Sequence, residues 1–97
     1  MATTAEIDYI TIASLGNAAD FGDLTSPAHQ NHGTCSNGSR GVYAGGNTNP
    51  TEYVDMHYIT FSTLGNSVDF GDIQLATRMP FGCSNGTRGV FCGGHAD

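Results

Sequence analysis

Two histidines three residues apart, in His29-Gln30-Asn31-His32, are the best-placed metal ligands of this 97-residue chain. Imidazoles at that spacing in a loop could share a zinc ion if His57 or His95 supplied a third donor. The same run of amides and imidazoles suits solvation, or hydrogen bonds to a polyhydroxylated ligand, and the spacing favours these over a metal. Asp20-Phe21-Gly22-Asp23 and Asp69-Phe70-Gly71-Asp72 offer paired carboxylates. Two per copy fall short of the roughly 6–8 oxygens that calcium takes, so their expected role is to cap a turn or to pair with Arg40 or Arg88. Asp-Phe-Gly also occurs in protein kinases, but a kinase needs a strand lysine, and the chain has no Lys. Its three cysteines, Cys35, Cys83 and Cys92, are odd in number, which excludes a complete intrachain disulfide framework. On strands they behave as small apolar residues, and no histidine has a sequence context that marks it as lowering a thiol pKa. No catalytic signature emerges.

The elements that must position these residues come in duplicate. The run from Tyr9 to Leu24 returns from Tyr58 to Ile73 at an offset of 49, and the run from Cys35 to Gly46 returns from Cys83 to Gly94 at an offset of 48. One residue is therefore gained or lost between the two blocks, placed near Thr34. Strand signals alternate with turns. Residues 7–14 are β-branched and aromatic without Gly or Pro, Leu15-Gly16-Asn17 reads as a turn, and residues 18–24 form a second strand. Pro27 marks residues 26–31 as a loop. Asn37-Gly38 and Asn85-Gly86 predict two-residue type I′ hairpins, with strands 33–36 and 39–44 in the first copy and 82–84 and 87–92 in the second. That register sets Ser84 opposite Thr87 and Cys83 opposite Arg88. Residues 47–52 form a loop and 53–63 a long strand. The strands thus group as two, four and two, and the fold class is all-β.

A period near 50 matches the roughly 50-residue kelch repeat, and four antiparallel strands per period make one blade of a β-propeller. The motifs agree. Arg88-Gly89-Val90-Phe91-Cys92-Gly93-Gly94 resembles the kelch strand that ends in a glycine pair, and Tyr58 in Tyr58-Ile59-Thr60-Phe61 resembles its following aromatic. Phe21 and Phe70 are similar in position to the inter-blade tryptophan. Arg78 resembles the arginine that opens a blade, with His29 in its place in the first copy. The wording of the repeat further resembles kelch-like propellers of marine bacteriophage virion proteins of the tail-fibre type, over about 85–90 of the 97 residues. The resemblance implies two kelch-like blades per chain: an N-terminal half-blade over 7–24, a complete blade over 26–73 and a C-terminal half-blade over 75–94, all within one unit, 1–97.

Composition narrows the function classes. The formal net charge is −6, with Arg40, Arg78 and Arg88 the only fixed cations. A single copy cannot build the basic face that replaces counterions on nucleic acid, and an anionic membrane surface is disfavoured likewise. Residues 1–10 contain Glu6 and Asp8, no cation and no long apolar run, so no secretory signal is expected. The expected location is a virion or the extracellular space, after synthesis in the cytoplasm.

Two blades cannot close a ring, since propellers use about 4–8, and an isolated pair leaves strand edges unpaired. The C-terminal hairpin could pair with the N-terminal strands of a neighbouring copy and close the ring by rotation. Three chains with six blades, a homotrimer, are the favoured count. Loops 26–32, 47–52 and 75–80, with residues 95–97, should then meet on one face. The expected ligand-binding residues there are His29, Gln30, His32, Asn47, Asn49, Tyr53 and Arg78, with no metal, cofactor or catalytic residue assigned. The expected function is a non-enzymatic self-assembling propeller module with a structural or glycan-binding role, its partners being itself, a glycan or host-surface receptor, and other virion proteins. The alternative is a propeller enzyme acting on carbohydrate. Such an enzyme needs Tyr, His and Cys copper ligands or paired carboxylates around the axis, and no such constellation stands out from the repeat.

Overall fold

The computed structural model describes residues 4–25, 30–48 and 51–96. Among them are eight strands and no helix: β1 (Glu6–Tyr9), β2 (Ala19–Asp23), β3 (Gly33–Ser36), β4 (Arg40–Ala44), β5 (Asp55–Thr60), β6 (Val68–Asp72), β7 (Phe81–Ser84) and β8 (Gly89–Cys92). They form three antiparallel sheets. β1 and β2 make a pair, β3-β4-β5-β6 a four-stranded meander, and β7 and β8 a second pair. The all-β expectation holds, and the strands group as two, four and two.

Some expected details are corrected. The first strand of each copy was expected to run to Ser14 and Thr63, but β1 stops at Tyr9 and β5 at Thr60. The chain then turns, with the Ser14 amide donating to the Thr11 carbonyl and the Thr63 amide to Thr60, both at 3.2 Å. Leu15-Gly16-Asn17 therefore follows the turn instead of forming it. A β-branched run needs a neighbour to pair with, and Ile12 stands 93 % exposed beyond the end of β2.

The hairpins are also one residue out of the expected register. Ser36 pairs with Gly41 and Ser84 with Gly89, so the central pairs are Gly38-Ser39 and Gly86-Thr87. Only the glycine of each pair has positive φ, at 89° and 94°, so neither turn is the type I′ pair, which needs positive φ at both central residues. Asn37 and Asn85 flank the turn instead. The Asn37 side-chain oxygen accepts the amides of Ser39 (2.9 Å) and Arg40 (2.8 Å), and Asn85 accepts those of Thr87 (3.0 Å) and Arg88 (2.8 Å). Saturating two turn amides is what a short Asn side chain does well. Cys83 thus faces Val90, and Cys92 faces Phe81.

The repeat extends to irregularities. Both β1–β2 and β5–β6 shift register at equivalent points, Ile7/Asp8 and Met56/His57. Tyr9 meets Phe21 edge-on at 6.1 Å, and Tyr58 meets Phe70 edge-on at 6.0 Å. The change of offset lies earlier than Thr34. The Gln30–Asn47 bridge matches Arg78–His95, and the positive-φ residues Asn31 and Met79 match each other, all at 48. The length difference therefore falls between Thr25 and Gln30, and the counterpart of Arg78 is Gln30, not His29.

The three sheets meet through backbone and short polar side chains. On one side of the meander, the Gly65 amide donates to the Phe21 carbonyl (2.9 Å), the Ser67 amide to Asp23 (3.0 Å), and the Asp23 amide to Asn66 Oδ1 (2.9 Å). Gly22 is obligatory here, because a Cβ would run into the Gly65 carbonyl. On the other side β7 lies against β3, with the Ser84 hydroxyl donating to the Ser36 carbonyl. The core is thin, as a chain of this size dictates: Phe21, Tyr43 and Ala44 are its buried apolar residues among those described.

Candidate functional site

Two groups of polar side chains qualify as sites. The first is a rim where the connections between strands meet. Asn47 bridges to Gln30 and to Glu52, and Arg78 bridges to His95. The Asn31 amide donates to Asn47 Oδ1 (3.0 Å), the Tyr53 and Thr48 hydroxyls lie 2.8 Å apart, and Arg78 Nε stands 3.7 Å from Glu52 Oε2. Of the expected ligand-binding residues, the rim thus gathers Gln30, Asn47, Tyr53 and Arg78. Asn47 is 3 % exposed, so it braces the rim from inside. His32 turns from the group and packs its half-buried ring against Tyr43, centroids 4.7 Å apart. Burial holds its pKa below the ordinary 6.5. His29 and Asn49 lie outside the described residues. Gln30, Asn31, Met79 and His95 remain exposed on the rim.

The second group lies between the N-terminal pair and the meander. Thr25 Oγ1 is 3.0 Å from His57 Nδ1 and 3.1 Å from Ser67 Oγ, and the Tyr43 hydroxyl is 3.2 Å from Ser67 Oγ. The Thr25 amide also donates to Ser67 Oγ at 2.8 Å. Burial raises the Tyr43 pKa, partly offset by the Ser67 hydrogen bond, with Asp55 adding a further push upward. An Asp, a His and a Ser in one place suggest nucleophilic catalysis, but the geometry serves a joint. Asp55 Oδ2 lies 3.8 Å from His57 Nε2, beyond hydrogen-bond range. Ser67 is buried, and its hydroxyl is engaged by the Thr25 amide, the Thr25 hydroxyl and the Tyr43 hydroxyl. Since Thr25 follows β2, the network fastens the first sheet to the second.

Sequence reasoning missed this joint, although a signal was there. Thr25, Tyr43, His57 and Ser67 correspond in the other copy to Gln74, Phe91, Asp8 and Ala18. The network occupies positions where the repeat breaks.

The other candidates resolve into structure. Among the described residues no three His, Cys, Asp or Glu side chains converge in a metal-binding group. Arg40 does not pair with an Asp of the repeat; its guanidinium lies over the Tyr58 ring, 4.2 Å from the centroid. Cys35 is half-buried, and burial with nearby Cys83 pushes its thiol pKa up.

Two open apolar grooves flank the meander. One, of about 360 Å³, lies toward β7–β8 and is lined by Val42, Met56, Phe70 and Phe91. The other, of about 430 Å³, lies on the opposite face and is lined by Ile7, Leu24, Ile59 and Phe61. In comparisons with known proteins the chain matches no family model, no curated protein and no solved structure.

Proposed function

We propose that this chain is a self-assembling, non-enzymatic β-propeller module whose copies complete one another's sheets, three copies closing a ring of six four-stranded blades. The observation that carries this reading is the relation of the end sheets to the meander. β7–β8 repeats β3–β4, and β1–β2 repeats β5–β6, bulge and aromatic pair included. Placed edge to edge, the two ends restore the four-strand order of the centre. The burial of His57 and Ser67 supports a structural role over a hydrolytic one.

A six-bladed ring would repeat the rim three times around its axis. Its exposed amides at Gln30 and Asn31, beside the Arg78 guanidinium, suit hydroxyl-rich ligands. A glycan or host-surface receptor is therefore the ligand class of choice, and a virion surface a fitting place for a small symmetric assembly. Native mass spectrometry of the purified chain tests the core of the reading. Three copies are expected; a folded monomer at micromolar concentration would overturn it. Binding to no member of a glycan array would leave the ring a purely structural role.

A further inference from the structure

We infer that the seam between copies is a single antiparallel strand pair, β8 of one copy with β1 of the next, in a register that sets Cys92 directly opposite the partner's Ile7. The inference rests on the ring reading and gives it residue-level content.

The register follows from the meander. There β4 pairs with β5 as Ala44↔Met56, Tyr43↔His57, Val42↔Tyr58, Gly41↔Ile59 and Arg40↔Thr60. Carried across the repeat, the seam pairs Cys92 with the partner's Ile7, Phe91 with the partner's Asp8, Val90 with the partner's Tyr9, Gly89 with the partner's Ile10 and Arg88 with the partner's Thr11. Among the described strands neither β8 nor β1 has a second neighbour, and Tyr9, Ile10 and Val90 are exposed. Sheet edges and apolar side chains are left open on both ends of the chain, where one strand pair would cover them. Arg88 then reaches the partner's Tyr9 as Arg40 reaches Tyr58.

A second set of contacts follows at the joint between sheets. Within the chain, Leu64-Gly65-Asn66-Ser67 lies along β2. Its counterpart Leu15-Gly16-Asn17-Ala18 retains the glycine and the asparagine. In the ring it lies along the partner's β6: the Gly16 amide donates to the partner's Phe70 carbonyl, and Asn17 Oδ1 accepts the partner's Asp72 amide. This covers Leu15, now 105 % exposed.

The broken positions of the repeat acquire a purpose here. The intrachain joint uses Thr25 with His57 and Ser67. At the seam the same places hold Gln74, the partner's Asp8 and the partner's Ala18. A glutamine amide donating to a carboxylate replaces a hydroxyl–imidazole contact, so the two kinds of joint carry different polar pairs and do not substitute for one another.

The native thiol at position 92 makes the register testable with one substitution. The Gly45 amide bonds to the Asp55 carbonyl, so Ala44↔Met56 is a non-hydrogen-bonded pair, the kind whose side chains approach closest. The pair of Cys92 with the partner's Ile7 inherits that geometry and suits a disulfide. Ile7→Cys protein, oxidised under native conditions, is expected to give covalent species up to three chains on a non-reducing gel, with peptide mapping placing the bond between positions 7 and 92. Tyr9→Cys, whose partner is Val90, should give no bond to position 92.

A native trimer without the 7–92 bond overturns the register and leaves the ring reading standing. A native monomer overturns both. If the Ile7→Cys chain does not fold, alkylation of the unaltered protein decides. Ala44, the counterpart of Cys92, is fully buried, so Cys92 in the ring should react with iodoacetamide at least tenfold more slowly before urea than after. Equal rates overturn the inference.

Discussion

The Tyr43 ring lies stacked on His57, with centroids 5.4 Å apart and planes 18° from parallel. Around this pair Thr25 and Ser67 complete a buried polar joint, so its members should be mutually dependent. Truncating His57 leaves the Thr25 hydroxyl short of a partner and opens a cavity beside Tyr43. His57→Ala should cost about 2–4 kcal/mol in urea unfolding. A double-mutant cycle on Thr25→Ala and Ser67→Ala should return a coupling of about 0.5–1.5 kcal/mol. Strict additivity would mean that the four residues do not act together.

Acid should weaken the fold through His32. Its pKa is lowered in the folded chain because burial penalises the imidazolium. Just below the ordinary value of 6.5 the unfolded chain binds a proton that the folded chain refuses, so unfolding gains ground as pH falls. The contribution is complete above 6.5 and declines through the window beneath it. Urea midpoints at pH 7.5 and pH 5.5 should therefore differ more in the natural protein than in His32→Gln. Parallel losses in the two would assign the effect to other groups.

Each turn rests on one asparagine and one glycine. Asn37→Ala removes the acceptor for two backbone amides and should cost about 1 kcal/mol. Gly38→Ala places a side chain at a φ of 89° and should cost about as much. Asn37→Asp keeps the acceptor and should retain most of the stability. If Asp and Ala behave alike, the side-chain acceptor is not what holds the turn.

Phe21 and Phe70 are counterparts in the repeat, yet Phe21 is 7 % exposed and Phe70 is 51 %. Within one chain only Phe21 has a cover, the Leu64–Asn66 segment. Phe21→Ala should therefore unfold the chain, at about 3–5 kcal/mol. Phe70→Ser should spare the circular dichroism of the fold but shift the mass distribution toward single chains. A trimer unaffected by Phe70→Ser would show that the Phe70 face plays no part in assembly.

Much of the architecture was legible because it was written twice. Glycine pairs, Asn-Gly turns and β-branched runs locate every strand, since these depend on local backbone preference. Strand ends were less legible: Ile10 to Ser14 has every property of a strand but no neighbour to pair with. The turn was misplaced by one residue because Asn-Gly fits either the two central positions or the flank and first centre. That Gln30, Asn47, Tyr53 and Arg78 come together at the rim follows from loop position alone, whereas the inward turn of Asn47 depends on Asn31 and could not be read. The Thr25–His57–Ser67 joint was hidden because its members are 10 to 42 residues apart. Only their departure from the repeat marked them.

The longest buried run among the described residues outlasts the strand it starts in, β4. Gly45, Gly46 and Asn47 are all buried, and their three successive amides donate to Asp55, Thr77 and Gln30. Three distant parts of the chain are thereby held by one short connector. Its counterpart Gly93-Gly94-His95 is exposed. In deuterated water the slowest-exchanging amides should accordingly sit in a loop, and the same sequence position 48 residues later should exchange among the fastest until something closes over it.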